Sequence, residues 1–134
     1  MTVKKRAAKH APFQSNTVAG ASFTIGAEAG NVINVIVQLE DGNGNALAER
    51  GCVTMYASDD AAGDSISAAP DTIAIGTDGV IIKAYAASES LIAVSEADGD
   101  IDINITEAGG ADTFYLIVVL PDGTLVASSA ITFA

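Results

Sequence analysis

The chain has 134 residues, with 6 Lys and Arg against 17 Asp and Glu for a formal net charge of -11, and its mass of 13.5 kDa suits one domain that buries a core without staples. Mean hydropathy is high at +0.38, but no apolar run approaches the roughly 18 to 20 residues that cross a bilayer as a helix; scarcity of Lys and Arg accounts for the value. Aromatics at 5%, no Trp and 13 glycines, among many Ala, Val, Ile, Ser and Thr, predict short strands and tight turns, an all-β protein.

Charge is divided along the chain. Lys4, Lys5, Arg6 and Lys9 are four of the six basic residues, and the first acid is Glu28. Residues 28–134 hold all 17 acids against Arg50 and Lys83, a formal balance of -15. The pattern is a basic arm on an acidic body. Such an arm can grip an acidic protein surface or nucleic acid, whereas the body is repelled by nucleic acid; a solvated terminus is the plainer reading. Met1 to Arg6 opens like a secretory signal, but Lys9, His10, Pro12 and Gln14 interrupt the apolar stretch a signal needs, so the chain is expected to stay in the compartment where it is made. The one cysteine, Cys52, permits no internal disulfide. Residues 11–30 are mostly small and polar, with Phe13, Val18, Phe23 and Ile25 as isolated anchors. The expectation is therefore an arm and linker over residues 1–30, about 100 Å long if fully extended at about 3.3 Å per residue, and a body over 31–134.

The body reads as strands and turns. Val32 to Glu40 places Ile33, Val35, Val37 and Leu39 on one face and Asn34, Gln38 and Glu40 on the other, with Ile36 the exception. Asp41 to Asn45 is a loop of residues that tolerate positive φ. Cys52 to Ala57 is a second strand with Val53 and Met55 inward, and Cys52 itself is expected to be a small buried hydrophobe. Ser58 to Asp71 reads as loop, with at most an irregular strand at 65–68. Thr72 to Ile75 and Val80 to Ala86 flank Gly76-Thr77-Asp78-Gly79, a hairpin signal. Leu91 to Ser95 and Ile101 to Thr106 flank a second Asp-Gly turn at Asp98-Gly99. Thr113 to Leu120, apolar at consecutive positions, is a central strand that wants cover on both faces. Pro121-Asp122-Gly123 reverses it, and the returning arm places Leu125, Ala127, Ile131 and Phe133 on one side and Ser128 and Thr132 on the other. Four Asp-Gly pairs thus punctuate seven or eight short strands, the pattern of an immunoglobulin-like β-sandwich.

The residues offer little chemistry. Asp98, Asp100, Asp102 and Asn104 alternate with Gly99, Ile101 and Ile103, but an EF-hand count from Asp98 puts Ile103 and Gly109 where Gly and Glu are required. The plainer reading is a strand with isoleucines inward and carboxylates in water, guarding against edge pairing. His10, the only histidine, has no fixed partner to orient it as a base. No zinc-ligand spacing, phosphate loop or aromatic-interleaved basic stripe is present. No enzyme, metal or cofactor is expected.

The segment Val35-Ile36-Val37-Gln38-Leu39-Glu40-Asp41-Gly42-Asn43-Gly44-Asn45-Ala46-Leu47, followed by Val53-Thr54-Met55-Tyr56, resembles the opening of bacterial Ig-like domains of the invasin and intimin type. Gly76 to Val80 and the final hairpin are similar to segments of small bacteriophage virion proteins that decorate capsids through an Ig-like body and an N-terminal arm. The resemblance implies a non-enzymatic structural protein of a phage particle, a decoration or minor virion protein assembled in the host cytoplasm. It further implies a major capsid or other virion protein as partner, homo-oligomers on the particle, and no contact with membrane or, through the body, with nucleic acid. The arm residues Lys4, Lys5, Arg6, Lys9, Phe13, Val18, Phe23 and Ile25 are then the candidate contacts, and outward Ile36, Ile81, Ile117 and Val119 would be covered between subunits. A binding module that recognises carbohydrate or a host receptor through its loops is the alternative.

Overall fold

The computed structural model describes residues 17–85 and 89–134. They form an all-β, immunoglobulin-like sandwich of two antiparallel sheets. The strands are β1 (Gly20–Ile25), β2 (Val32–Glu40), β3 (Cys52–Ser58), β4 (Thr72–Ile75), β5 (Val80–Ala84), β6 (Ser90–Val94), β7 (Asp100–Thr106), β8 (Asp112–Val119), β9 (Leu125–Ala127) and β10 (Ile131–Phe133). One sheet runs β1-β2-β7-β4; the other runs β10-β8-β3-β6-β5, with β9 also on β8.

Period-two alternation builds the core. Ile33, Val35, Val37 and Leu39 of β2 and Ile101, Ile103 and Ile105 of β7 are buried, and they meet Val53, Met55, Ala57, Leu91, Ala93, Phe114, Leu116 and Val118 from the opposite sheet. Phe114 and Phe133 stack with ring centroids 5.9 Å apart. Each buried Val, Leu, Ile, Met or Phe side chain among them contributes about 1.5–3 kcal/mol on leaving water. Asp122 accepts a hydrogen bond from the Thr124 amide at 2.9 Å and Gly123 has φ 88°, so the reversal after β8 uses the chemistry expected of its residues.

Three features depart from the sequence reading. The linker reading of residues 11–30 gives way at its C-terminal part: β1 pairs with β2 from Gly20↔Glu40 to Ile25↔Val35, Val18 is buried, and Phe23 and Ile25 pack against the core. Residues 20–25 alternate small polar and apolar side chains, a short edge strand whose few large residues hid its period.

The second departure concerns the Asp-Gly turns. Strands β4 and β5 do not pair with one another: β4 lies on β7 in the first sheet and β5 on β6 in the second. Likewise β6 pairs with β3 and β5, and β7 with β2 and β4. The turns at Asp78 and Asp98 therefore carry the chain from one sheet to the other, the turn at Asp41 folds back on the end of β2 through a Glu40↔Ala46 bridge before the chain crosses to β3, and of the four only Asp122-Gly123 joins two paired strands. Turn residues specify a reversal, and the buried pattern of the flanking strands decides whether it stays in one sheet.

Third, the returning arm after Gly123 is two strands. Ile117 pairs with Ala127 and Phe114 with Ile131, so residues 115–116 of β8 oppose residues 128–130 of the arm, a bulge. The buried Ser128 fixes it: its Oγ accepts from the Leu116 amide at 3.0 Å and donates to the Ser129 carbonyl at 2.7 Å. The phase flips there. Ile131 and Phe133 point into the core, whereas Leu125 and Ala127 point outward, against the expectation that all four share a side.

Candidate interaction face

The two outer faces of the sandwich differ in kind. On the β1-β2-β7-β4 sheet, residues opposite the core include Asn34, Gln38, Glu40, Asp100, Asp102, Asn104 and Thr106, with Ile36 the apolar exception at 36% exposure. Asp102 is held from two sides, accepting from Thr77 Oγ1 at 2.5 Å and from Asn34 Nδ2. These bonds, the Thr77 bond foremost, hold its carboxyl below its ordinary pKa against a smaller opposing effect of burial. Asp100 is pushed up, first by burial and then by Asp98, Asp78 and Asp102. Among the described residues no group of three or more His, Cys, Asp or Glu side chains is arranged to hold a metal ion, and no pocket is found.

On the other sheet, strand register sets the outward side chains in rows that run across the strands. The longest is Lys83 (β5), Ile92 (β6), Thr54 (β3), Val119 (β8) and Leu125 (β9), each paired with the next. Beside it lie Val80, Val94 and Cys52 on one flank, and Ser90, Tyr56, Ile117 and Ala127 on the other. No carboxylate appears in these rows, although the chain carries 17 acids. Val80 is 53% exposed and Leu125 44% exposed, and beside the rows Ile82 bulges out of β5 at 60%. A body this acidic that leaves one whole sheet face uncharged except for Lys83 presents an apolar, β-branched surface of the sort that partners cover.

One part of the face is already covered. Ile117 is fully buried although it points away from the core, because the loop after β3 folds over it. Tyr56 Oη donates to the Gly63 carbonyl at 2.8 Å, and a Cβ on Gly63 would stand 3.1 Å from Leu125 and 3.7 Å from Ile117. Burial raises the Tyr56 phenol pKa, assisted by Asp64 and then Asp60, so that loop sets carboxylates at the β8-β9 side of a face whose rows carry only Lys83 as a charge.

The sequence-derived candidates fall in different places. Lys4, Lys5, Arg6, Lys9 and Phe13, like His10, lie outside the described residues. Val18, Phe23 and Ile25 are occupied by the chain's own core. Ile81 also turns inward and packs on the core, a correction, because the bulge between Ile81 and Lys83 shifts the phase of β5. Val119 is outward and half-buried. Cys52 is exposed rather than buried, since Val53 and Met55 take the inward positions of β3. The face as a whole escaped the sequence reading because its rows are assembled from five strands far apart in the chain; the signal present was local, an absence of acids from the outward positions of each of those strands. Comparison with protein-family models, with curated proteins and with solved structures finds no match to this chain.

Proposed function

We propose that this protein is a non-enzymatic assembly protein, a decoration or minor structural component of a bacteriophage particle, which docks through its basic N-terminal residues and its sandwich. The observation that supports this most is the outer face of the β5-β6-β3-β8-β9 sheet, whose rows hold no carboxylate and Lys83 alone as a charge, on a body with a formal balance of -15 over residues 28–134. An apolar sheet surface suits protein contact, where shape and excluded water supply the energy. Lys4, Lys5, Arg6 and Lys9 suit a partner surface that is itself acidic.

The test is the composition of purified particles. The chain is expected in fixed stoichiometry with the coat protein, and a Gln variant at Lys4, Lys5, Arg6 and Lys9 is expected to occupy fewer sites, with a weaker salt dependence. Recovery of the chain only in the soluble fraction, with clean particles, contradicts the reading.

A further inference from the structure

We propose that the outer face of the β5-β6-β3-β8-β9 sheet binds a second copy of this chain, face to face about a two-fold axis parallel to the strands. The proposal rests on the reading of the protein as an assembly module and names a partner for its apolar face. Three observations support a second copy as the occupant.

The first is charge. A basic partner would be met through carboxylates, which this chain has in abundance; its outer rows have none. A face whose strands are cleared of acids on an acidic body is matched to a surface as acidic as itself, because there two copies approach without setting strand carboxylates against one another.

The second is self-complementarity, which an isologous contact requires. Lys83 stands on the β5 rim, and the one ion pair among the described residues joins Arg50 to Glu96, so Lys83 has no carboxylate partner there. Asp60 and Asp64 stand on the loop at the opposite, β8-β9 rim, where their charges act on Tyr56. A two-fold axis along the strands reverses the order of strands without reversing their height, and so sets each Lys83 against the partner's acidic loop. The same operation sets the raised loop over Ile117 and Leu125 of one copy against β6 and β5 of the other.

The third is area. Five strands about 4.8 Å apart and about seven residues of rise give a footprint on the order of 450 Å² per copy, or about 1,000 Å² in total once side-chain relief is counted, the lower limit for a specific contact. The dimer is accordingly weak and concentration-dependent, with dissociation in the micromolar range or above.

The experiment is sedimentation equilibrium of the full chain from low micromolar to millimolar concentration, for the wild type, Lys83→Glu, Asp64→Lys, their double variant and Thr54→Glu. Lys83 and Asp64 are exposed, so melting temperatures are expected to hold and serve as the control for folding. Each single swap is expected to weaken dimerisation about tenfold, since the axis repeats each pair twice and replaces attraction with repulsion. The double swap restores it, and Thr54→Glu, a charge in the middle of the longest row, abolishes it. A wild type that stays monomeric throughout overturns the proposal, as does a dimer indifferent to Thr54→Glu or to the swaps. If the chain is monomeric yet Thr54→Glu removes it from particles, the face belongs to another virion protein: this inference fails and the assembly reading stands. A dimer with the expected variant pattern but no particle association upholds the self-contact and overturns the assembly reading.

Discussion

Thr77, in the crossover from β4 to β5, donates a 2.5 Å hydrogen bond to Asp102 in the middle of β7, and so ties the loop that joins the two sheets to the centre of the polar one. The backbone repeats the tie in both directions, from the Gly76 amide to the Asp102 carbonyl at 2.7 Å and from the Asp102 amide to the Asp78 carbonyl at 2.8 Å. Gly76 makes the approach possible, since a Cβ there would lie 2.7 Å from Asp102 Oδ1. The acidic strand that looks like half a calcium loop is thus a clasp for a crossover.

Acid titration separates two adjacent carboxylates. Asp102 has a depressed pKa in the fold, so its contribution is present above the ordinary Asp range and is lost as pH falls through and below about 4. Asp100 has a raised pKa, so its charge costs stability at neutral pH and the cost is relieved on acidification. At pH 7, Asp102→Asn is expected to lose about 1 kcal/mol, or about 4 °C in melting temperature, and to flatten the acid limb of the stability curve. Asp100→Asn should raise the melting temperature by about 1–2 °C. Thermal melts at pH 3, 5 and 7 check both.

The N-terminal boundary is set by packing. A Cβ on Gly51 would lie 2.7 Å from Val18, 2.9 Å from Leu39 and 2.9 Å from Leu47, so Gly51→Ala is an overpacking change expected to cost about 1–3 kcal/mol. Chemical denaturation measures it; an unchanged midpoint contradicts the seating of Val18 against this corner.

Truncation draws the same boundary. Removing residues 1–16 is expected to leave the ten strands of the described residues and the melting temperature unchanged. Removing 1–25 strips Val18, Phe23 and Ile25 from the core and bares the edge of β2, at a cost of several kcal/mol and with a tendency to aggregate.

Val118 tests the centre of the six-stranded sheet. It is fully buried, between Met55 and Val126 in register, and Val118→Asp places a carboxylate there without a partner. The expected result is loss of cooperative folding at 25 °C, read by circular dichroism, since such burial exceeds what a domain of this size can absorb.

How far the sequence carried differs by element. Strands β2, β3 and β7 were legible to within a residue or two because large apolar side chains mark every second position, and β8 because its apolar residues run consecutively. The edge strand β1 was not, because Ala21, Ser22 and Thr24 carry so little contrast. The pairing of strands across the turns at Asp78 and Asp98 was illegible for a different reason: a Gly-containing reversal reads alike whether the next strand joins the same sheet or the facing one. The candidate face lay beyond local reading, since Lys83, Ile92, Thr54, Val119 and Leu125 become a row only once five strands are in register.

Cys52 gives the most direct measure of the central claim, that the outer face of the six-stranded sheet is covered in association. It is the only thiol in the chain, it is exposed, and it lies in the same row as Val94 and Val80. The measurement is the rate of maleimide labelling of Cys52 as a function of protein concentration, with Thr54→Glu as the reference. Labelling is expected to be fast in dilute solution and to slow as the wild type associates, with the Thr54→Glu rate constant throughout; a wild-type rate that stays flat while sedimentation records association shows that the face is not covered.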